Sequence, residues 1–471
     1  MTKSYKVVVV SLVLMFLLVN VGAVFALMAP SDITAPVETD WQMFKGETIK
    51  ISMLKHPTPE ALVKLIPLFE QITGMKIDFN ILPEEEYWDK MLIDLASGQG
   101  EFSVIFSDPQ NKWEYGTAGW ILPLDDFIED PQLTNKVWYD LDDFFPSRFK
   151  SQMWTGEIGK GEGMGKLWGV PLGGEGAMLA FRADLFKKYG LTVPKTYPQL
   201  YETAVKLQQA ARADGMENFI GIITRGNRSW GAIQGGALAM FSSCGVKDFD
   251  EHLNSTIDTK QAVWITELYV KMMKEAGPPD WNNVTWYDNK QRFTAGMAGM
   301  TMDNTFFAAS FEDPETSEIA GKVGYAPVPA GPDGKIETNL ASWALSINTK
   351  APNPKAAWLF VELATSRDIL MESCYKYRAY MPSRISIWYD PKVIAQSREW
   401  GVGEWKLRKV ADDNMFTGRS RVVLTPTPAY AMQGDLWMTA IQEIYQGDPV
   451  QATLSKYARQ IEEHLKEMGL R

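Results

Sequence analysis

Cysteine and histidine are scarce in this chain: Cys244 and Cys374, with His56, His252 and His464, are all that 471 residues contain. No CxxC pair and no HExxH spacing occurs. The usual zinc frameworks are therefore missing, and no metal or other cofactor is expected. The cysteines stand 130 positions apart and read as two buried thiols, with a single disulfide as the alternative in an oxidising compartment. Basic charge is also short, with 47 Lys and Arg against 58 Asp and Glu. No basic stripe with interleaved aromatics exists, so nucleic acid, which is held through clustered Lys and Arg, is not an expected partner. The glycine series at 156–165 lacks the GKS or GKT ending of a phosphate loop and follows no hydrophobic strand, so it reads as a surface loop. The acidic runs Glu84, Glu85 and Glu86, Asp125 and Asp126, and Asp142 and Asp143 read as solvated faces or caps. Nothing singles out the two carboxylates placed across one bond that a glycosidase requires, and no catalytic activity is expected.

What is present is the composition of a soluble globular protein, 45% apolar and 22% charged with a net charge of −11. The length suits two α/β lobes of roughly 150 to 250 residues each. Lys3 and Lys6 precede an uncharged, mainly apolar stretch at 7–29 that passes through Val24, Phe25 and Ala26. Residues 1–26 read as an export signal peptide, with retention as an N-terminal membrane anchor as the alternative. No Cys ends the apolar run, so a lipid anchor is not supported. Residues 27–44, with Pro30 and Pro36, read as a tether. An exported protein, periplasmic or at the cell surface, follows.

The folded body begins with alternation of Ile49, Ile51 and Met53 over 48–54, the pattern of a strand. A helix follows with Thr58 as its N-cap and Pro59 at its first position, bent by Pro67 and ended by Gly74. Strand 75–81, helix 84–97 and strand 102–106 come next, and this strand and helix alternation predicts a parallel sheet with helices on its faces. A second α/β unit begins near Glu175, with a strand over 219–224, and a further strand and helix are expected at 342–347 and 354–365. The apolar spacing after Asp448 and Pro449 predicts a C-terminal helix.

Eight ordered blocks resemble the extracellular solute-binding proteins of ABC importers, the sugar-binding type that includes maltose-binding protein. They are PEALVKLIPLFEQITGMKI (59–77), DLASGQG (94–100), GWILPLDDFI (119–128), GKLWGVPLGGEGAMLAFRADLFKKYGL (165–191), FTAGMAGMTMDNTFF (293–307), VGYAPVPAGPDG (323–334), SINTKAPNPKAAWLFVELATS (346–366) and QGDPVQATLSKYARQIEEHL (446–465). The resemblance implies a two-lobed α/β fold of the periplasmic-binding-protein type II, each lobe a mostly parallel sheet flanked by helices, joined by hinge crossings. It suggests one lobe from 45–174 plus 328–377 and the other from 175–327 plus 378–471. It also implies capture of a carbohydrate between the lobes, delivery to ABC permease subunits, and a monomeric receptor.

A neutral sugar needs aromatic faces for its C–H surfaces and planar polar groups for its hydroxyls, and 17 Trp supply the first generously. Loops after strands are where such groups converge in α/β sheets. His56, and then Asp108, Asn111 and Trp113, follow the first and third strands; His56 and Asp108 read equally well as helix caps. Glu175 stands between glycines in GGEGA, where the family crosses between lobes. Arg225, Asn227 and Trp230 lie in TRGNRSWG, a guanidinium, an amide and a ring together. Asp303 and Asn304 flank Phe306 in MDNTFF, where the family often sets a stacking aromatic, and Trp343, Tyr380 and Tyr430 lie in loops that commonly reach its ligand. The competing readings are the same fold around a polyamine, peptide or ferric ion, the last suggested by Tyr375, Tyr377 and Tyr380, and a secreted carbohydrate-active enzyme.

Overall fold

The computed structural model describes residues 39–471. The expected signal peptide or anchor at 1–26 and the tether up to residue 38 lie outside the described residues. The last part of the expected tether is not free: Trp41 is buried, its ring 5.3 Å from that of Trp138 in an edge contact. The apolar Trp41, Met43 and Phe44 attach this segment to a hydrophobic core that also takes in Ile49, Ile51 and Phe69.

Eight strands make the two central sheets: β1 (Thr48–Leu54), β2 (Lys76–Leu82), β3 (Val104–Ser107), β4 (Val170–Pro171), β5 (Ala177–Arg182), β6 (Met300–Asn304), β7 (Val323–Ala326) and β8 (Ala344–Ile347). The first sheet has the order β2-β1-β3-β8-β4. Its β2, β1 and β3 are parallel, and β8 runs antiparallel between β3 and β4. The second has the order β6-β5-β7 with both neighbours antiparallel to β5. Parallel pairing there is confined to isolated bridges, Ile220 with Ala298 and Ile223 with Thr301, so the expected strand at 219–224 is reduced to two contacts. The expectation of a mostly parallel sheet thus describes β2, β1 and β3 and not the second sheet. A helical crossover fixes two strands parallel, whereas β8 enters the first sheet directly from the second.

The helix expected after β1 is two helices, α1 (Pro57–Val63) and α2 (Ile66–Thr73). Pro67 lacks the N–H that would continue α1 and sits instead in the first turn of α2. The cap of α1 is His56 and not Thr58: its Nδ1 accepts the Thr58 backbone N–H at 3.3 Å. Further helices are α3 (Glu84–Ser97), α4 (Asn111–Thr117), α5 (Trp230–Ile233), α6 (Trp286–Thr294), α7 (Pro354–Ala364), α8 (Tyr430–Gln446) and α9 (Val450–Glu467). Cys244 and Cys374 are both free and buried.

The chain passes between the sheets through neighbouring extended segments that bond to one another. Leu172 and Glu175 donate backbone N–H groups to the carbonyls of Trp343 (2.8 Å) and Ala341 (2.7 Å), and Gly174 donates to Met381 (3.2 Å). Buried Arg148 lies under this junction, donating from Nη1 to the carbonyls of Met381 and Pro382 and from Nη2 to that of Gly174. Beyond it, residues 384–414 pack on both halves. Arg384 donates to the carbonyls of Thr365 and Tyr139, while Asn414 donates to that of Ala177 in β5.

Candidate functional site

A small cavity, with room for about 30 Å3, lies against the crossing segments. The end of β1 supplies Leu54 and His56, the loop after β3 supplies Asp108, and the loop after β6 supplies Asn304 and Phe306. Glu175, Ala341 and Trp343 come from the crossings, and Arg225, Trp230 and Gln234 from the loop and helix around α5. Phe106 stacks on Trp343 with ring centroids 5.0 Å apart, and Phe306 lies 4.6 Å from the imidazole of His56. An outer vestibule shares Glu84, Arg225, Trp230 and Trp286 with this cavity and adds Asn227, Tyr430, Trp88 and Tyr287.

The titratable groups of the inner wall are mostly carboxyls. Glu175 Oε1 accepts the indole N–H of Trp343 at 3.0 Å, and Oε2 has no hydrogen-bond partner among the described residues. Burial pushes the Glu175 carboxyl up to about 8, against the opposing pull of the Trp343 N–H and the Arg225 charge. Burial likewise raises Asp108 to about 7, despite the Gln110 N–H that it accepts at 3.2 Å. His56 is held at about 3 by burial, with the charges of Lys290 and Arg225 adding to the effect, so its imidazole is neutral at physiological pH. Arg225 grips Asp303 in a two-pronged pair, Nε to Oδ2 at 3.0 Å and Nη2 to Oδ1 at 2.6 Å.

Of the residues singled out in the sequence, His56, Asp108, Glu175, Arg225, Trp230, Asn304, Phe306 and Trp343 come together in the inner wall, and Asn227 and Tyr430 in the vestibule. Three stand behind it. Asp303 orients Arg225, Asn111 donates to the Tyr430 hydroxyl, and Trp113 donates to Glu162 at 2.9 Å. Tyr380 is elsewhere, packed against Trp400 and Trp388 with its hydroxyl on the Val393 carbonyl; the chain turns it into the core past Met381, whose φ is +84°. The sequence reading missed Glu84, Gln234 and Trp286. Glu84 follows β2 as His56 follows β1, and its Oε2 accepts the Trp286 indole N–H at 2.6 Å, but the acidic run around it looks solvated. Among the described residues no group of His, Cys, Asp or Glu is arranged to hold a metal ion, and no helix is long and apolar enough to cross a membrane.

Comparison with known proteins gives the same architecture. Residues 55–369 match the family model of the bacterial extracellular solute-binding proteins. The erythritol/L-threitol-binding protein of Mycolicibacterium smegmatis is 28% identical over 432 residues, covering 89% of this chain and 86% of that one. An ABC transporter solute-binding protein from Agrobacterium radiobacter, solved with ribitol, superposes with a TM-score of 0.78 at 22% identity, covering 89% of this chain and 99% of the other. Another from Agrobacterium vitis, solved with D-mannitol, gives 0.75 at 25% identity over 90% and 99%. With two sheets joined by crossing segments and a cavity at the junction, this chain belongs to the two-lobed bacterial extracellular solute-binding proteins.

Proposed function

We propose that this protein is the receptor of an ABC importer, that it captures a small polyhydroxylated solute, a polyol or sugar, between its lobes, and that it hands the solute unchanged to a membrane permease. The observation that carries the reading is the inner cavity, where buried polar groups without partners, Glu175 Oε2 and His56 Nε2, stand among the rings of Trp343, Phe306 and Trp286. Rings cover C–H faces and the polar groups take hydroxyls. The names of the similar proteins, which bind erythritol, L-threitol, ribitol and D-mannitol, support the same class. The lobes in this reading are 45–174 plus 328–377 and 175–327 plus 378–471, and the protein works as a monomer outside the cytoplasmic membrane.

Three carboxyls in the wall, Glu84, Asp108 and Glu175, which a neighbouring cation would draw into their charged form, support one second reading, a cationic solute such as a polyamine. Thermal-shift screening separates the two, because a solute that binds only the folded protein raises the melting temperature. Erythritol, ribitol, D-mannitol or a monosaccharide is expected to do so, and putrescine and spermidine are not. Trp230→Ala is expected to weaken the binding solute by about 1–2 kcal/mol in calorimetric titration, the worth of a ring contact, with the fold intact. A shift from the polyamines alone would replace the polyol reading.

A further inference from the structure

We infer that His56 and Glu175 together form a reader of one neutral ligand hydroxyl, which accepts from His56 Nε2–H and donates to Glu175, and that this pair rejects an ammonium group at the same place. The inference rests on the polyol reading above and names what one part of that site selects.

His56 Nδ1 accepts the Thr58 backbone N–H at 3.3 Å, and an imidazole nitrogen that accepts carries no proton. The ring is neutral in its buried setting, so the single proton sits on Nε2. That nitrogen has no partner among the described residues and lies 4.0 Å from Glu175 Oε1, too far for a direct hydrogen bond. Both side chains are nearly closed off, 5% and 3% exposed, and both line the inner cavity. The ring is held in place on several sides, with Phe306 at 4.6 Å and Trp343 at 5.3 Å between centroids. Glu175 is fixed by the Trp343 N–H on Oε1, and that oxygen keeps a second lone pair to offer even when Oε2, which has no partner among the described residues, carries the carboxyl proton.

An oxygen bridging Nε2 and Oε1 satisfies both. A hydroxyl has the needed pair of functions, one donor and acceptor lone pairs; an ammonium has donors only and would set an N–H against an N–H. The histidine does not escape by moving its proton to Nδ1, because that would oppose the Thr58 N–H and remove the cap of α1. This pair supplies the element of rejection that specificity requires.

The test uses calorimetric titration of the intact protein with erythritol, ribitol and D-mannitol and with the 1-amino-1-deoxy and 2-amino-2-deoxy analogue of each. For the polyol that binds, an amino analogue is expected to bind about tenfold or more weakly, the loss of one buried hydrogen-bonded contact. His56→Asn keeps a side-chain acceptor for the cap but withdraws the Nε2–H, and is expected to shrink that penalty. Glu175→Gln is expected to weaken the polyol while leaving the penalty in place. Melting curves of both variants establish that they are folded. An amino analogue that binds wild type as well as its parent polyol, or a penalty that His56→Asn leaves unchanged, overturns the hydroxyl reader and leaves the polyol reading standing. Failure of every polyol and sugar to bind overturns both.

Discussion

Glu362 is a buried residue whose polar atoms its neighbours leave unsatisfied. It lies within α7 with no exposed surface, and neither carboxyl oxygen has a hydrogen-bond partner among the described residues. Burial raises its pKa to about 9, so it is protonated in the folded protein at neutral pH. The folded state holds this proton to a higher pH than the unfolded chain, whose carboxyl has the ordinary value of 4.5. The unfolded state therefore binds fewer protons between about pH 4.5 and 9, and stability falls as pH rises through that window. Glu362→Leu is expected to raise stability by about 1–3 kcal/mol, the desolvation cost of a polar group left unpaired. Its advantage over wild type in urea unfolding should be larger at pH 8 than at pH 5; an equal advantage at both would count against a buried titrating carboxyl. In the sequence this residue looks ordinary, because a Glu on a helix is normally solvated, and only the layering of α7 between other elements reveals that all of its faces are covered. The same limit hid Glu84, while His56 was legible because it stands in a loop after a strand, and Glu175 and Trp343 because the family resemblance sets them at or near the crossings.

At the scale of elements, β1, β2, β3 and α3 were readable because their periodicity is local, with Ile49, Ile51 and Met53 on one face of β1. The antiparallel second sheet was not, since strand direction depends on partners far apart in the chain, as Ala177 in β5 with Asn304 in β6. The crossing segments hold the two parts together, and one side chain ties three of their carbonyls. Arg148 bonds the carbonyls of Gly174, Met381 and Pro382, and a Cβ on Gly174 would stand 2.8 Å from its Nε. Arg148→Lys keeps the charge but not the planar fork, and is expected to cost on the order of 1–3 kcal/mol per bond lost. Gly174→Ala should act by displacing the same guanidinium. Because both changes break the same hydrogen bonds, the double variant should lose less stability than the sum of the singles; strict additivity in denaturant unfolding would show that Gly174 matters for another reason.

For the whole molecule, the proposed division into lobes assigns a function to contacts that span the cleft away from the crossings. Tyr287 donates its hydroxyl to the Lys55 carbonyl at 3.0 Å, Trp286 donates to Glu84 at 2.6 Å, and the Gly159 N–H reaches the Pro426 carbonyl at 2.7 Å. If the lobes rotate as rigid bodies, these bonds exist only when the cleft is closed, and each adds to the closed population without touching either core. Tyr287→Phe isolates the effect: it removes one hydroxyl at the rim and keeps the ring stacked on Trp286, with centroids 3.6 Å apart. Loss of about 0.5–1.5 kcal/mol from the closed state lowers the fraction competent to hold solute, so apparent affinity should fall roughly 2- to 10-fold. The change should appear chiefly as faster dissociation, because the closed state retains the solute. The melting temperature without solute decides the matter, since a protein that rests open has no such bond to lose and should melt as wild type does. A drop in the solute-free melting temperature, together with a radius of gyration in X-ray scattering that does not shrink when the solute is added, would mean that the two halves form one fixed body and that closure is not how this receptor works.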